Sequence, residues 1–394
     1  MKVLVLGLGL QGKAVVQDLV KNDQVSEIVV ADMDDAVVKA HLAGKGYSKC
    51  RAARLDASQA AECLDLMRAV APQVTICMLP PDFNHPIAQA ALAAGCHFVS
   101  SSYTGRVSEL DAEAREKEII VLPEMGMDPG IDLVLARLAV DELDEVHGLY
   151  SYGAGLPEPA CADDNPLHYK ITWTFDGVLK AYKRPARMLK DGREIAIPGE
   201  AIFQEKHGHT VTFPGLGPLE AYPNGDAIHY IEAFDLGAHI RDMGRFALRY
   251  PGHRKFWSVM AQMGFFDDRP VDVDGHPVSP RRFLVNHLAP QLQFADDERD
   301  MVVLRVTAWG RKDGRTQRVT YDLIDYRDLA TGLFAMNRTV GYTASIGAQM
   351  ILDGRITRPG VLSPTRDVPP GDLVEALTSR GMKLDHRTEE IESA

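Results

Sequence analysis

The chain has 394 residues, of which 45% are hydrophobic and 25% are charged. These proportions are typical of a folded globular protein, and the length suits two domains better than one. Its 43 basic and 55 acidic side chains give a formal net charge of −12, which argues against nucleic acid or a membrane surface as the main partner.

The cysteines and the N-terminus indicate the compartment. The five cysteines contain no Cys-x-x-Cys pair, so we expect neither a disulfide framework nor a metal site. The N-terminus has no signal-peptide pattern, and no apolar run reaches membrane-spanning length. We therefore expect a soluble, cytoplasmic protein.

A glycine-rich turn follows the first predicted strand. Val3–Leu6 is a continuous apolar run, as in a parallel strand covered on both faces, and Lys13–Val20 has a helical pattern. In the order strand, Gly-x-Gly-x-x-Gly, helix, the backbone amides of the turn and the helix N-terminus bind a dinucleotide pyrophosphate. We predict cofactor contacts from Gly7, Gly9, Leu10, Gln11 and Gly12.

Two acidic residues follow the next predicted strands. Asp32 ends the strand Ile28–Ala31 and comes 20 residues after Gly12, where a ribose-binding carboxylate is expected. No arginine follows it directly, so the sequence predicts NAD as the cofactor, with NADP disfavoured. Asp56 could reach the adenine, although an acidic residue that caps a turn is an equal alternative.

Alternating strands and helices continue through the first third of the chain, which predicts a Rossmann-type doubly wound parallel sheet in an α/β protein. The remaining strands are predicted at Arg51–Leu55, Val74–Leu79, His97–Val99 and Ile119–Leu122. Leu79 and Pro80 follow the fourth strand, where ligand crevices form in open sheets. We therefore add both to the cofactor contacts.

A second domain of a different pattern follows. Residues 124–132 are rich in acids and glycines and predict a hinge, after which strand-like runs such as Lys170–Phe175 and Met301–Val306 predict an α+β substrate domain with a mostly antiparallel sheet. Helices are predicted at Leu133–Leu143, Thr331–Leu352 and Asp372–Ser379, and the charged tail Asp385–Ala394 is expected to fray. The predicted domains are 1–125 for the cofactor, 126–330 for substrate and dimerisation, and 331–394 as helices that return to the first domain.

Several separate motifs resemble the saccharopine dehydrogenase family over essentially the whole chain. Besides the glycine turn, they are Ser100–Tyr103, the Glu124–Asp132 stretch, Gly155–Pro157, Asp164–Leu167, Tyr169–Trp173, Leu219–Asn224, Leu248–His253 and Arg338–Gly341. The resemblance implies NAD(P)-dependent chemistry at a carbon–nitrogen bond: oxidation of an amine to an imine that is hydrolysed, or the reverse.

The resemblance also implies roles for particular residues. Asp128 matches the acidic position of the family's Gly-x-Asp-Pro-Gly motif and is the first candidate for acid/base catalysis, with helix capping as the alternative. Tyr103 and Lys170 are further catalytic candidates; Lys170 could have a pKa lowered by burial. The candidates for substrate binding are Ser102, Asn165, Asn224, Arg245 and Arg249.

The substrate stays open between relatives. Asn224-Gly225-Asp226 replaces the Asn-Arg-Asp of many saccharopine reductases, which removes one carboxylate-binding arginine. The hypothesis is an oxidoreductase acting on the CH–NH bond of a saccharopine-like amino acid, glutamate-forming, and a homodimer. The alternatives are a lysine 6-dehydrogenase, a carboxynorspermidine-type dehydrogenase with a polyamine substrate, and a non-catalytic dinucleotide sensor.

Overall fold

The computed structural model describes residues 1–392. Within them, the strands are β1 (Lys2–Leu6), β2 (Glu27–Asp32), β3 (Cys50–Arg54), β4 (Val74–Cys77), β5 (His97–Ser100), β6 (Ile120–Leu122), β7 (Glu145–Pro157), β8 (Ala186–Lys190), β9 (Arg193–Ile197), β10 (His209–Phe213), β11 (Gly217–Pro223), β12 (Asp242–Arg249), β13 (Val271–Val273), β14 (His276–Val278), β15 (Asp300–Lys312), β16 (Arg315–Tyr326), β17 (Gly360–Val361) and β18 (Lys383–Glu390). The α-helices are α1 (Leu10–Val20), α2 (Asp35–Lys45), α3 (Ala60–Val70), α4 (Asn84–Ala94), α5 (Asp111–Glu116), α6 (Ile131–Asp141), α7 (Pro159–Ala162), α8 (Phe175–Ala181), α9 (His229–Ala233), α10 (His253–Gln262), α11 (Pro280–Leu288), α12 (Ala335–Leu352), α13 (Pro364–Asp367) and α14 (Pro370–Ser379). Short 3-10 helices lie at Pro81–Phe83, Gly105–Leu110, Gly199–Ala201, Glu205–His207 and Ala289–Leu292.

The described chain divides into two compact units. The first comprises Met1–Val134 and Asn337–Gly381, and the second comprises Leu135–Met336 and the strand that follows Met382. The chain therefore leaves the first unit within α6 and re-enters it within α12. The domain limits at residues 125 and 330 stay predictions.

The first unit is built on a parallel sheet, which confirms the predicted fold class. Its seven strands, counted within residues 1–392, lie in the order β17-β6-β5-β4-β1-β2-β3. The order runs outward from β1 in both directions, so the carboxyl ends of β1 and β4 meet where the direction reverses, the usual ligand position in such sheets. The strands are apolar because both faces are covered: Leu4 and Val29 have no exposed surface.

The second unit has a mixed sheet. Its main strands lie in the order β10-β11-β12-β7-β15-β16-β18, and β12 pairs with β7 in parallel whereas the other neighbours are antiparallel. The prediction of a mostly antiparallel second sheet is confirmed. Side chains of β7, β11 and β15 form one core with α8, α10 and α11, and Trp257 and Phe213 are fully buried in it.

Two local predictions in this unit are wrong. Residues 170–174 form a loop before α8 instead of a strand, because Lys170 is held by carboxylates and the Ile171 amide donates to the carbonyl of Leu292 at 2.8 Å. The charged tail does not fray up to Glu390, because β18 pairs with β16 over eight residues. Residues 393 and 394 of that tail lie outside the described residues.

Candidate active site

The glycine turn connects β1 to α1 as predicted from its spacing. A Cβ on Gly12 would overlap the carbonyl oxygen of Gly7, so only glycine lets the helix start this close to the strand. Gly9 occupies the N-cap position of α1, and no side chain in the described residues caps this helix. The first amides of α1 therefore remain available to an anion, and the helix dipole favours one there.

Asp32 closes the glycine turn. Its Oδ2 accepts a hydrogen bond from the Leu8 amide at 2.8 Å, so this carboxylate already holds the loop through one oxygen. The parallel register of β2 and β3 places Arg54 directly beside Asp32, with its side chain exposed. The residues directly after Asp32 in the sequence include no arginine, but the neighbouring strand β3 places Arg54 next to Asp32.

The other predicted cofactor contacts lie at the same edge of the sheet, with different surroundings. Asp56 accepts hydrogen bonds from the amide and the hydroxyl of Ser58, at 3.0 and 2.6 Å, and the bonds to Ser58 lower its pKa. This geometry fits the alternative of a turn-capping residue. Leu79 and Pro80 follow β4 after one intervening residue, Met78, and the end of β4 pairs with the end of β1.

The ends of β5 and β6 bring three predicted site residues into one loop system. Ser102 and Tyr103 follow β5, and Asp128 lies in the loop after β6. Tyr103 is 36% exposed. Because α6 begins at Ile131 and the carbonyl of Gly130 accepts its first helical bonds, Asp128 does not occupy the N-cap position that the capping alternative requires.

Glu124 links these two loops and was not among the sequence-predicted site residues. Its amide donates to the carbonyl of Ser102 at 2.9 Å, and its Oε1 accepts from the amide of Thr104 at 3.1 Å. The left-handed backbone of Glu124, with φ of 63°, is unusual for a glutamate. This backbone conformation distinguishes Glu124 from other glutamates, and it cannot be read from the amino-acid sequence.

Lys170 lies in a clamp of two carboxylates in the second unit. Its Nζ is 2.7 Å from Asp164 and 2.5 Å from Glu298, and its side chain is only 6% exposed. Burial alone would lower its pKa, but the hydrogen bonds to Asp164 and Glu298 outweigh burial and raise the pKa of Lys170. The expected lowered pKa is therefore wrong, and the ammonium is engaged within the protein.

The two candidate arginines lie on β12 and are both buried. Arg249 stacks on the ring of Tyr169 and donates to the carbonyl of Leu248 at 2.7 Å. Burial opposes its charge, but the surrounding tyrosines, Tyr222 foremost, raise the pKa of Arg249. Its guanidinium is therefore enclosed among tyrosine side chains.

Arg245 differs from Arg249 in its neighbours. Its guanidinium lies 4.8 Å from the ring centre of Tyr230, and its carbonyl accepts from the amide of Asn224 at 2.8 Å. This hydrogen bond brings Asn224 and Arg245 together. Asn165 shapes its own loop instead, since its amide group donates to the carbonyl of Tyr169 and accepts from the amide of Leu167.

The described chain offers neither a membrane span nor a metal cluster. Within residues 1–392, no helix combines the length and the hydropathy needed to cross a bilayer. In the same residues, no three His, Cys, Asp or Glu side chains are grouped so as to hold a metal ion.

Comparisons with known proteins match both units. A family model described as the saccharopine dehydrogenase NADP binding domain matches residues 3–122, and one described as the saccharopine dehydrogenase C-terminal domain matches residues 126–382. The chain is 28% identical to the NADP(+), L-glutamate-forming saccharopine dehydrogenase of Saccharomyces cerevisiae, over 98% of this chain and 99% of that protein.

Two other matches define the extent of the likeness. The chain is 29% identical to the mitochondrial alpha-aminoadipic semialdehyde synthase of Bos taurus over 97% of its own length, but spans only 47% of that relative, about half. The fold matches the apo structure of histidine-tagged saccharopine dehydrogenase (L-Glu forming) from Saccharomyces cerevisiae with a TM-score of 0.86 and 26% identity, covering 98% of this chain and 99% of that one.

These matches correct the expected cofactor. The first family model is described as NADP binding, and the yeast relative is named as NADP(+)-linked, so the prediction that NAD is preferred over NADP is wrong. That prediction treated Asp32 as a carboxylate available to a ribose. In the structure Asp32 bonds Leu8, and Arg54 lies beside it on β3.

Proposed function

Because the chain belongs to the saccharopine dehydrogenase family, we propose that it is an NADP-dependent oxidoreductase that acts on the CH–NH bond of a saccharopine-like amino acid and forms glutamate. The observation that carries this proposal is the likeness, over nearly the whole chain, to the L-glutamate-forming enzyme of yeast. The glycine turn and the uncapped N-terminus of α1 support it, since both fit a dinucleotide phosphate.

The cofactor would be held by backbone and by one arginine. The turn Gly7–Gly12 offers amides for the pyrophosphate, and Leu79 and Pro80 border it at the end of β4. We assign the 2′-phosphate of NADP to Arg54, because a guanidinium suits a phosphate and this one is exposed at the end of β3. NADP+ supplies the acceptor for the hydride that leaves the carbon bearing the amine.

The remaining steps move protons and are assigned to residues at the ends of β5 and β6. As the substrate C=N bond forms, the nitrogen loses its proton; water then adds to the carbon, and the C–N bond breaks to leave an aldehyde and the amino group of glutamate. We assign the proton transfers to Asp128 and, from the loop after β5, to the Tyr103 hydroxyl and Ser102, because a carboxylate near the reacting nitrogen can serve as acid and base in turn.

Substrate carboxylates need cationic partners. We assign this role to Arg245 with Asn224, because their backbone hydrogen bond keeps them together. Lys170 and Arg249 are better explained as structural cations, since Lys170 is ion-paired to two acids and Arg249 is enclosed by tyrosines. Asn165 shapes its own loop.

The test is turnover by the purified full chain with NADP+. With saccharopine we expect NADPH and glutamate in equal amounts, and we expect Asp128→Asn to lower kcat by about 10²-fold or more. Asp65→Asn, an exposed carboxylate on α3, is the matched control. NADPH formed only from lysine or carboxynorspermidine, or NADPH binding without turnover of any of the three, would refute the proposal.

We also propose that the protein is a cytoplasmic homodimer. The cysteines are free in the structure, which fits a reducing compartment. A cavity of about 420 Å³ on the second sheet is lined by aromatic and arginine side chains, including Tyr150, Trp309 and Arg318, and such residues are enriched at protein interfaces. Light scattering during size-exclusion chromatography tests the dimer, and fractionation of the native cells tests the compartment.

A further inference from the structure

We propose that Glu124 is a positioning residue that holds Tyr103 in register with the Asp128 loop. The inference rests on the proposed oxidoreductase function, in which Tyr103 and Asp128 act on the substrate. All the contacts that carry it lie within the first unit.

Glu124 binds the chain on both sides of Tyr103. Its amide donates to the carbonyl of Ser102 at 2.9 Å, and its side-chain Oε1 accepts from the amide of Thr104 at 3.1 Å. One residue thus fixes the backbone immediately before and immediately after the tyrosine. The next amide, that of Met125, donates to the carbonyl of Ser100 at 2.9 Å and extends the connection to the end of β5.

Glu124 also leads directly into the loop that carries Asp128. The Gly126 amide donates to the carbonyl of Pro129 at 2.9 Å, and the Ile131 amide donates to the carbonyl of Gly126 at 2.9 Å, so the loop folds back on itself. A Cβ on Gly130 would come within 2.7 Å of the Glu124 carbonyl oxygen. The backbone of Glu124 is therefore packed against the base of the Asp128 loop.

The conformation of Glu124 is explained by these two roles. Its φ of 63° is in the left-handed region, which is uncommon for glutamate, and the residue is only 5% exposed. The left-handed turn allows the amide and the side chain of one residue to bond the β5 loop while its carbonyl faces Gly130. A displacement of about 1 Å between two catalytic groups can lower the reaction rate by about 10²-fold.

The test compares Glu124→Ala with Glu124→Gln. Alanine removes the acceptor for the Thr104 amide, whereas glutamine keeps a carbonyl oxygen at the same reach. We expect Glu124→Ala to lower kcat by about 10- to 100-fold with the Kd for NADPH unchanged, and Glu124→Gln to restore most of kcat. Glu118→Ala is the matched control, because Glu118 is also left-handed, with φ of 55°, but is exposed.

A second measurement does not depend on turnover. Hydrogen–deuterium exchange of the segment 102–105 should accelerate about tenfold or more in Glu124→Ala, and should stay slow in Glu124→Gln and Glu118→Ala. Unchanged exchange, or unchanged kcat in Glu124→Ala, overturns the positioning role. If the wild-type chain turns over no amine, the proposed function fails by itself, and the exchange rates still decide whether Glu124 holds this segment.

Discussion

Asp300 should make the stability of the second unit depend on pH. It has no exposed surface and caps the start of α12, accepting hydrogen bonds from the amides of Ala335 and Met336 at 2.7 and 3.1 Å. Burial raises the pKa of Asp300 from its ordinary 3.8 to about 7, because the two amides only partly offset the lost hydration. The folded protein therefore binds a proton that the unfolded chain releases.

The sign and size of the effect follow from this difference. Between about pH 4 and about pH 7 the folded state holds more protons than the unfolded state, so the free energy of unfolding falls as the pH rises. The full effect of such a pKa difference is about 4 kcal/mol, at about 1.4 kcal/mol per unit. This contribution to the free energy of unfolding is fully present at low pH and is lost by about pH 7.

Asp300→Asn isolates this contribution, because asparagine keeps an acceptor oxygen but does not titrate. Between about pH 5 and about pH 8 we expect the stability of the wild type relative to the variant to fall by about 2–3 kcal/mol. Denaturant unfolding followed by tryptophan fluorescence is the assay. Asp296→Asn, an exposed site close by in sequence, controls for net charge. Parallel pH profiles for wild type and Asp300→Asn would contradict a raised pKa of Asp300 in the folded protein.

Three further predictions concern the cofactor, the buried ion pair and the Asp128 loop. Arg54→Ala should raise the Kd for NADPH by about tenfold or more, the usual size for a charged hydrogen bond, and leave that for NADH unchanged; equal changes for both in a fluorescence titration would contradict the 2′-phosphate assignment. Glu298→Gln should destabilise the fold by about 2 kcal/mol, because Lys170 then has only the half-exposed Asp164 as a charged partner. A loss of unfolding free energy no larger than that of Asp164→Asn, measured by denaturant unfolding, would contradict this. Gly130→Ala should cost about 3 kcal/mol or more, because φ is 145° and a Cβ would overlap the Gly126 carbonyl; a thermal midpoint equal to wild type would contradict it.

Much of the first unit could be predicted from local pattern. Continuous apolar runs such as Val3–Leu6 indicate parallel strands because both faces of the sheet are covered, and the glycine spacing indicates the turn that follows. The helix predicted from Thr331 begins four residues later, at Ala335. Its start is set by Asp300, which lies 35 residues earlier in the chain.

The candidate site was predictable only in part. Motifs placed Tyr103 and Asp128 after successive strands, and the parallel sheet brings those strand ends to one edge. The role of Lys170 was not predictable, because its partner Glu298 is 128 residues away. Pairing over such distances depends on the folded chain and leaves no local periodicity.

The cofactor site shows which features follow from local sequence and which depend on the fold. Dinucleotide binding is already predicted by local sequence, because Gly7, Gly9 and Gly12 are needed within one short segment for a turn, a close backbone approach and a close helix. The surroundings of Asp32 depend on the folded chain: the Leu8 amide donates to its carboxylate, and strand register places Arg54 beside it. The glycine turn is a local backbone conformation, whereas the charge at the ribose position is the sum of side chains from two strands that only folding makes neighbours.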